Sequence, residues 1–458
     1  MKTLDQIGAE LQGYDPQALS ATDVNVFLSK LVLPVQDVLE LPLFEALNRV
    51  LAKTVISPFN VPPHDNSAMD GYAFDGQQLR AHETLQLQLV GTALAGKAWQ
   101  GRVQPGQCVK IMTGAIMPEG LDTVAPQEFV TLETVPSKAD NGGGLATIQR
   151  ITIPANIIQL GDNRRLHGED LAQGQPALLK GELLTPARIG LAASLGLKTL
   201  TTWRPLRVAY FSTGDEILSL GEAPREGAVY DSNRYTVFGM LTRMGCEVID
   251  MGVVRDDPAL LEAAFSQAAM QADAIITSGG VSVGEADFTK LMMKKLGDVA
   301  FWRIAMRPGR PMAVGRISST KLASSALGSS VSSYQNNSDS NTAILFGLPG
   351  NPVAVMVTFL AIVRPALLQM MGCTAPAPPL LKARSAEAIR KKPGRTEYQR
   401  GWVFTAPDGS LQVKTTGSQG SGVLRSMAEA NGLLVLHHAQ ADIALGDEVD
   451  VLMFDGAI

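Results

Sequence analysis

Four short apolar, β-branched runs, Val208–Phe211, Glu247–Gly252, Ala274–Thr277 and Ile344–Gly347, alternate with amphipathic stretches such as Leu260, Leu261, Ala264, Phe265 and Ala268. Strands that alternate with helices build a parallel sheet covered on both faces, because each crossover passes over the sheet. The pattern predicts a central α/β domain beginning at Arg207 and also locates its ligands, which bind outside the carboxyl ends of such strands. The segments that follow the four runs therefore carry the chemistry.

The run at Ala274 leads through Ser278 into Gly279-Gly280, a turn with no Cβ to keep a ligand away, and on to Asp287 at the start of a helix carrying Phe288, Leu291 and Met292. Asp287 reads equally as an N-cap and as a ligand contact. After the first run, Ser212-Thr213-Gly214-Asp215-Glu216 puts two carboxylates on the same edge, where Asp256 and Asp257 also fall. Asp215 reads as a cap and Glu216 as functional. Carboxylates gathered on one edge need a cation or protons to relieve their repulsion, and hard oxygen donors suit Mg²⁺; a solvated rim is the alternative.

Gly347-Leu348-Pro349-Gly350-Asn351-Pro352 joins a strand to a long apolar helix, so its exposed N–H groups suit a phosphate. It lacks the lysine and hydroxyl of a nucleotide-hydrolysing loop. Arg303 and Arg307 fall on one side of an extended segment, which makes either an anion site or a solvated sheet face. Asp231-Ser232-Asn233 opens a helix as an N-cap cluster, and Asp65–Phe74 reads as a turn with Asx caps. The five histidines show neither metal-ligand spacing nor a triad.

A chain of 458 residues, 45% hydrophobic and 18% charged, exceeds one core, and roughly three or four domains are expected. Ala21 to Lys53 reads as two helical pieces broken at Pro34, and Leu85 to Glu128 as short antiparallel strands. Ser318 to Asn341 is a polar, Ser-rich insertion. From Leu380 onward, alternating segments separated by Asp408-Gly409 and Gly446-Asp447 suggest a closed antiparallel β unit. The boundaries expected are 1–57 with 151–186 for an N-terminal helical and β segment and 58–150 for an inserted β domain. The α/β domain then spans 187–375, with the insertion at 318–341, and the barrel 376–458.

A net charge of −5 argues against nucleic acid as a partner. The scattered Cys108, Cys246 and Cys373 read as buried hydrophobes in a reducing cytoplasm. The first fifteen residues lack a signal-peptide core, and Val353 to Val363 is too short to span a bilayer, so a soluble, cytoplasmic protein is expected.

Taken in order, DNSAMDGYAF, IMTGA, GED, FSTGDEI, DSN, RDDP, SGGVSVGEADFTK, FW-x5-PGRP, GLPGNP, QRG and QGS resemble the molybdopterin molybdenumtransferase family, which includes the E domain of gephyrin. The resemblance runs over almost the whole chain outside the Ser-rich insertion. It implies a multidomain protomer: an N-terminal helical/β segment, an inserted β domain, a pterin-binding α/β domain with a central parallel sheet, and a C-terminal β barrel. It also implies a homodimer with shared active sites and an exchange of AMP for molybdate on adenylylated molybdopterin with Mg²⁺. A molybdopterin adenylyltransferase is a possible delivery partner.

By the same resemblance, Asp70, Thr113, Glu216, Asp256, Asp287, Arg303 and Arg307 are catalytic, with Glu216 and Asp287 on the metal. Pterin and phosphate contacts fall to Ser212, Thr213, Gly214, Ser278, Gly279, Gly280, Gly284, Pro349, Gly350, Asn351, Arg400 and Ser421. Two departures stand out. Arginines occupy 303 and 307 where the family has lysines, and 164–170 is poorer in arginine than the family pattern, leaving Arg165 for any phosphate there. The competing readings are a molybdopterin adenylyltransferase, which does not need the flanking β domains, and a non-catalytic gephyrin-like scaffold, which would want a further domain or partner groove.

Overall fold

A computed structural model describes residues 2–11, 13–138, 145–281, 288–318 and 342–454. The Ser-rich stretch beyond Ser318, Gly284 and Asp287 lie outside the described residues. The chain forms two compact units. One comprises Met1–Lys53, Lys180–Ile189 and Lys198–Ile458, and the other Thr54–Leu179 and Gly190–Leu197.

The centre of the first unit is a six-stranded sheet of β1 (Arg207–Thr213), β2 (Glu247–Val254), β3 (Ala274–Ser278), β4 (Gly297–Arg303), β6 (Pro311–Ser318) and β7 (Thr342–Leu348). The short β5 (Met306–Arg307) leaves this sheet and pairs elsewhere. The strand order is β2-β1-β3-β7-β6-β4, with β2, β1, β3 and β7 parallel, β6 antiparallel to β7, and β4 antiparallel to β6. Successive residues of a strand face opposite sides, which explains why these runs are apolar throughout. Val208, Tyr210, Ile276 and Phe346 pack into one core cluster, and their neighbours Ala209, Phe211, Ile275 and Leu345 into another.

Four helices cover the faces: α1 (Ser232–Arg243), α2 (Pro258–Gln271), α3 (Phe288–Leu296) and α4, the helical run Pro352–Met370. Asp257 caps α2 by accepting the Ala259 and Leu260 N–H groups at 2.9 and 3.0 Å. Run α4 is longer than the apolar sequence run implied, because a π turn at Phe359–Val363 carries the helix past Pro365. By length and composition its 19 residues could cross a membrane, but 67% of its apolar window is buried inside the fold.

Helix Ala21–Leu31 is present, whereas the second helical piece expected before Lys53 is largely strand. Val38–Pro42 pairs antiparallel with Thr199–Trp203, and only the short turn Leu43–Glu45 is helical. Local spacing cannot reveal a partner so distant in sequence.

Asp273 fastens the amino ends of the central strands. Its carboxylate accepts two hydrogen bonds from Arg204, at 2.6 and 2.8 Å, and one from the Arg207 N–H at 2.8 Å. Burial pushes its pKa up, but the Arg204 guanidinium and the Arg207 N–H outweigh it and hold the carboxyl below its ordinary 3.8. A depressed carboxylate contributes stability above its unfolded pKa and loses it as pH falls through the folded one. Asp273→Asn is expected to cost about 2 kcal/mol near neutrality. Denaturant midpoints of the two proteins should converge as the pH drops below 3.8, and a gap that persists there would refute the assignment.

The last part of the first unit is a closed barrel of β8 (Leu381–Ser385), β9 (Thr396–Thr405), β10 (Leu411–Thr415), β11 (Gly432–Leu436) and β12 (Glu448–Met453). Pairing runs β9-β10-β8-β12-β11 and returns to β9, so no strand has a bare edge, and β5 adds to β9 alongside. The β8–β10 pair is parallel, within a barrel otherwise antiparallel.

The second unit holds a six-stranded sheet in which Leu85–Ala93 runs parallel to Gln107–Ile111, not antiparallel as their turns suggested. The thirteen-residue crossover allows it. Strand Leu145–Ile153 pairs with Leu85–Ala93 on one side and with Thr131–Lys138 on the other.

Candidate active site

Three central strands end side by side, and their turns make one wall of a cavity of about 720 Å³. Thr213, Gly214 and Glu216 follow β1, Gly279, Gly280 and Val281 follow β3, and Pro349, Gly350 and Asn351 follow β7. Asp256 comes from the loop after β2 and Phe288 from α3. The opposite wall is Arg307–Pro311 together with Gln419, Gly420 and Ser421 from the barrel.

The glycine turn after β3 depends on missing side chains. Gly279 and Gly280 have φ of +93° and +65°, and a Cβ on them would lie 2.4 Å from the Thr213 carbonyl oxygen and 2.5 Å from the Thr289 side chain. The turn is less open to anions than its sequence suggests, because the Gly279 N–H already bonds the Leu348 carbonyl at 3.1 Å. A Cβ on Gly214 would lie 2.5 Å from the Glu216 carboxylate, so its absence lets that side chain fold over the turn.

Beneath these turns lies a buried hydroxyl network. Ser212 Oγ donates to Asp231 Oδ1 at 2.9 Å, and Tyr210 Oη lies 2.9 Å from Ser212 Oγ and 2.7 Å from Ser278 Oγ. Burial drives the Tyr210 pKa strongly up, so its proton stays in the network. Ser212 and Ser278 thus tie the ends of β1 and β3 together, and neither lines the cavity. Asp231 also accepts the Arg234 N–H at 3.1 Å, capping α1, and Asn233 donates to the Gly350 carbonyl at 2.7 Å.

Arg400 has no exposed surface. Its guanidinium donates to the carbonyls of Ser418 (3.0 Å), Gln419 (3.3 Å) and Gly420 (2.9 Å) and to Ser426 Oγ (3.0 Å). Burial, and after it the charge of Arg307, pulls its pKa down to about 10, which leaves it charged at neutral pH. Arg400 therefore holds the loop that lines the cavity and does not itself line it. Ser421 does, and its carbonyl accepts the Val353 N–H at 3.1 Å, taking up a donor that the helix start was expected to offer a phosphate. Asn351 precedes that helix without a side-chain capping bond and lines the cavity.

Arg307 lines the cavity, whereas Arg303 is exposed at the end of β4, its N–H bonded to the Pro16 carbonyl. Asp70 and Thr113 belong to the second unit, where Asp70 Oδ1 accepts the Thr113 N–H at 2.7 Å and its hydroxyl at 2.8 Å. Those two bonds hold the Asp70 carboxyl below its usual range. Arg164 is engaged by Asp65, and Arg165 is exposed. Arg310, Gln419 and Gly420 line the cavity; the PGRP and QGS motifs contain them, but no individual role was assigned to them from sequence. For Arg310 the signal was its place in the same Arg-Pro-Gly-Arg turn as Arg307.

Among the described residues no three His, Cys, Asp or Glu side chains converge as a ready-made metal cage. The donor set nonetheless suits Mg²⁺, which keeps several waters and needs only one or two protein carboxylates beside substrate phosphates. Glu216 and Asp256 are both exposed along this one cavity.

Residues 18–196 match the MoeA N-terminal region (domain I and II), 209–369 a probable molybdopterin binding domain, and 382–454 the MoeA C-terminal region (domain IV). A molybdopterin molybdenumtransferase of Haemophilus influenzae is 38% identical over 91% of this chain and 93% of its own. The chain belongs to the molybdopterin molybdenumtransferase family. A second relative of that name, from a Nostoc species, is 33% identical over 91% of this chain and 89% of its own. A crystal structure of a molybdopterin biosynthesis MoeA protein from Pyrococcus horikoshii OT3 shares the fold at TM-score 0.71 and 24% identity, covering 96% of this chain and 100% of that one. The family is one of transferases, and the expected α/β-plus-barrel architecture is the one observed.

Proposed function

We propose that this chain inserts molybdenum into molybdopterin, using molybdate and the adenylylated pterin and releasing AMP. The observation that carries the reading is the lining of one cavity: strand-end glycine turns and carboxylates, with Arg307 and the barrel loop Gln419–Ser421 across from them. That loop also favours the reading over a molybdopterin adenylyltransferase, which does not need a barrel.

In this reading the turns after β1, β3 and β7 receive the pterin and its phosphate by close backbone approach. Arg307 faces the oxyanion with a planar fork of donors, and Asn351 and Ser421 add polar contacts. Glu216 and Asp256 would hold Mg²⁺ together with Asp287, which follows the Gly279-Gly280 turn in sequence. When bound, the ion neutralises phosphate charge as the phosphoanhydride is cleaved. The Asp70–Thr113 pair is a preformed acceptor that serves the cavity of a second copy in a homodimer, with an adenylyltransferase as delivery partner. Three free cysteines support a reducing, cytoplasmic setting.

The test is single-turnover AMP release from adenylylated molybdopterin, with and without molybdate. Molybdate-dependent release is expected. Formation of the adenylylated pterin from ATP, with no molybdate-dependent release, would replace this reading with the adenylyltransferase.

A further inference from the structure

A second cavity, of about 230 Å³, lies at the opposite end of the central sheet. Arg207, Asp273 and Thr342 line it, at the starts of the neighbouring strands β1, β3 and β7. The length of those strands puts roughly 15–20 Å between it and the glycine turns. Most of its wall is apolar: Leu31, Val35, Ile344 and Met370 are buried around it, and the exposed side chains of Leu33 and Met270 line it as well. The polar end carries an unbalanced charge. Both Asp273 oxygens are taken up by Arg204 and the Arg207 N–H, and Arg204 is further bonded to Asp37 at 2.8 Å. The Arg207 guanidinium is left over. Among the described residues it makes no hydrogen bond, its one ion pair is with Asp273 at 3.6 Å, and its Nε is enclosed without a partner. The Met370 carbonyl, at the end of α4, already accepts the Val35 N–H at 2.9 Å, so it does not face the cavity as a bare acceptor.

We propose that this cavity binds a small monocarboxylate with an apolar body, aliphatic or aromatic, whose carboxylate pairs with Arg207. A planar fork with free N–H groups suits two carboxylate oxygens, and the leucine, valine, isoleucine and methionine wall suits the body. The volume is that of about eight waters, which matches an acid of roughly eight or nine non-hydrogen atoms. A free phosphate or other small inorganic anion would satisfy the guanidinium but leave the apolar wall unfilled, so the body supplies the selectivity. The site shares no lining residue with the cavity at the carboxyl ends of the strands, and its occupancy does not depend on the reaction proposed there.

The probe is benzoate, titrated against the full chain and followed by ligand-observed NMR. A saturable Kd of about 1 mM is expected for one charged contact and a body of this size. Arg207→Gln should raise it about tenfold, the usual loss for a charge-assisted contact. Met270→Glu places a like charge at an exposed lining position, so it should raise Kd about threefold without touching the core. It decides the matter if the Arg207 variant melts abnormally. Arg307→Gln, in the other cavity, should leave Kd within about twofold. Benzyl alcohol, a ring without the charge, and acetate, a charge without the ring, should each bind at least about tenfold more weakly. No saturation by about 20 mM benzoate, equal binding of benzyl alcohol or acetate, an unchanged Kd in both Arg207→Gln and Met270→Glu, or a comparable loss in Arg307→Gln would overturn the assignment.

Discussion

Gly279→Ala is expected to lower kcat/KM for AMP release by at least about 100-fold, because a displacement of about 1 Å at a reacting centre costs that much. The new Cβ would sit 2.4 Å from the Thr213 carbonyl oxygen, a backbone atom that cannot swing aside. The +93° φ adds strain that alanine avoids elsewhere. Relief requires separating the turns after β1 and β3, which are two of the strand-end turns of the cavity. A stability loss of about 2–4 kcal/mol should accompany it. Steady-state kinetics beside a denaturation curve separate the two effects, and a variant with unaltered kcat/KM would remove the glycine turn from the reacting site.

Arg400→Ala is expected to lower stability by about 3–5 kcal/mol, the range for breaking a buried charged group out of its partners. Three carbonyls and the Ser426 hydroxyl lose their donor at once. Arg400→Lys should recover little, since one ammonium cannot span acceptors arranged around a planar fork. The loss should appear as a lower denaturant midpoint, and activity should fall through displacement of Gln419–Ser421. A midpoint equal to that of the unsubstituted chain would mean that the loop does not depend on Arg400.

The parts of the fold legible in sequence are those set by local chemistry. Ala274–Ser278 is apolar at every position because both sheet faces are covered, and Asp408-Gly409 and Gly446-Asp447 mark turns whatever surrounds them. The pairing of Val38–Pro42 with Thr199–Trp203 was not legible, because its partner lies far along the chain and its apolar spacing also fits a helix turn. The parallel alignment of Leu85–Ala93 with Gln107–Ile111 was hidden similarly, since short turn-rich strands look alike in either direction.

The site divides along the same line. Glu216, Asp256, Gly279, Gly280 and Asn351 follow strands, and a strand's carboxyl end has a known destination. Whether a charged side chain faces ligand or backbone is a tertiary matter. Arg400 and Arg307 look equivalent as letters, yet one is enclosed by carbonyls and the other lines the cavity. Arg310 lines the cavity and Arg303 does not, because the chain bends at Pro308-Gly309, a bend that strand alternation does not anticipate.

The bond from the Val353 N–H to the Ser421 carbonyl has a thermodynamic consequence. A barrel residue occupies, in the resting chain, the position that a ligand oxygen would take at the start of α4. Any ligand that captures this donor must first displace the barrel's own oxygen, so occupancy and the seating of the barrel loop become linked equilibria. What loosens the loop should then tighten the ligand, and a bound ligand should loosen the loop by the same factor.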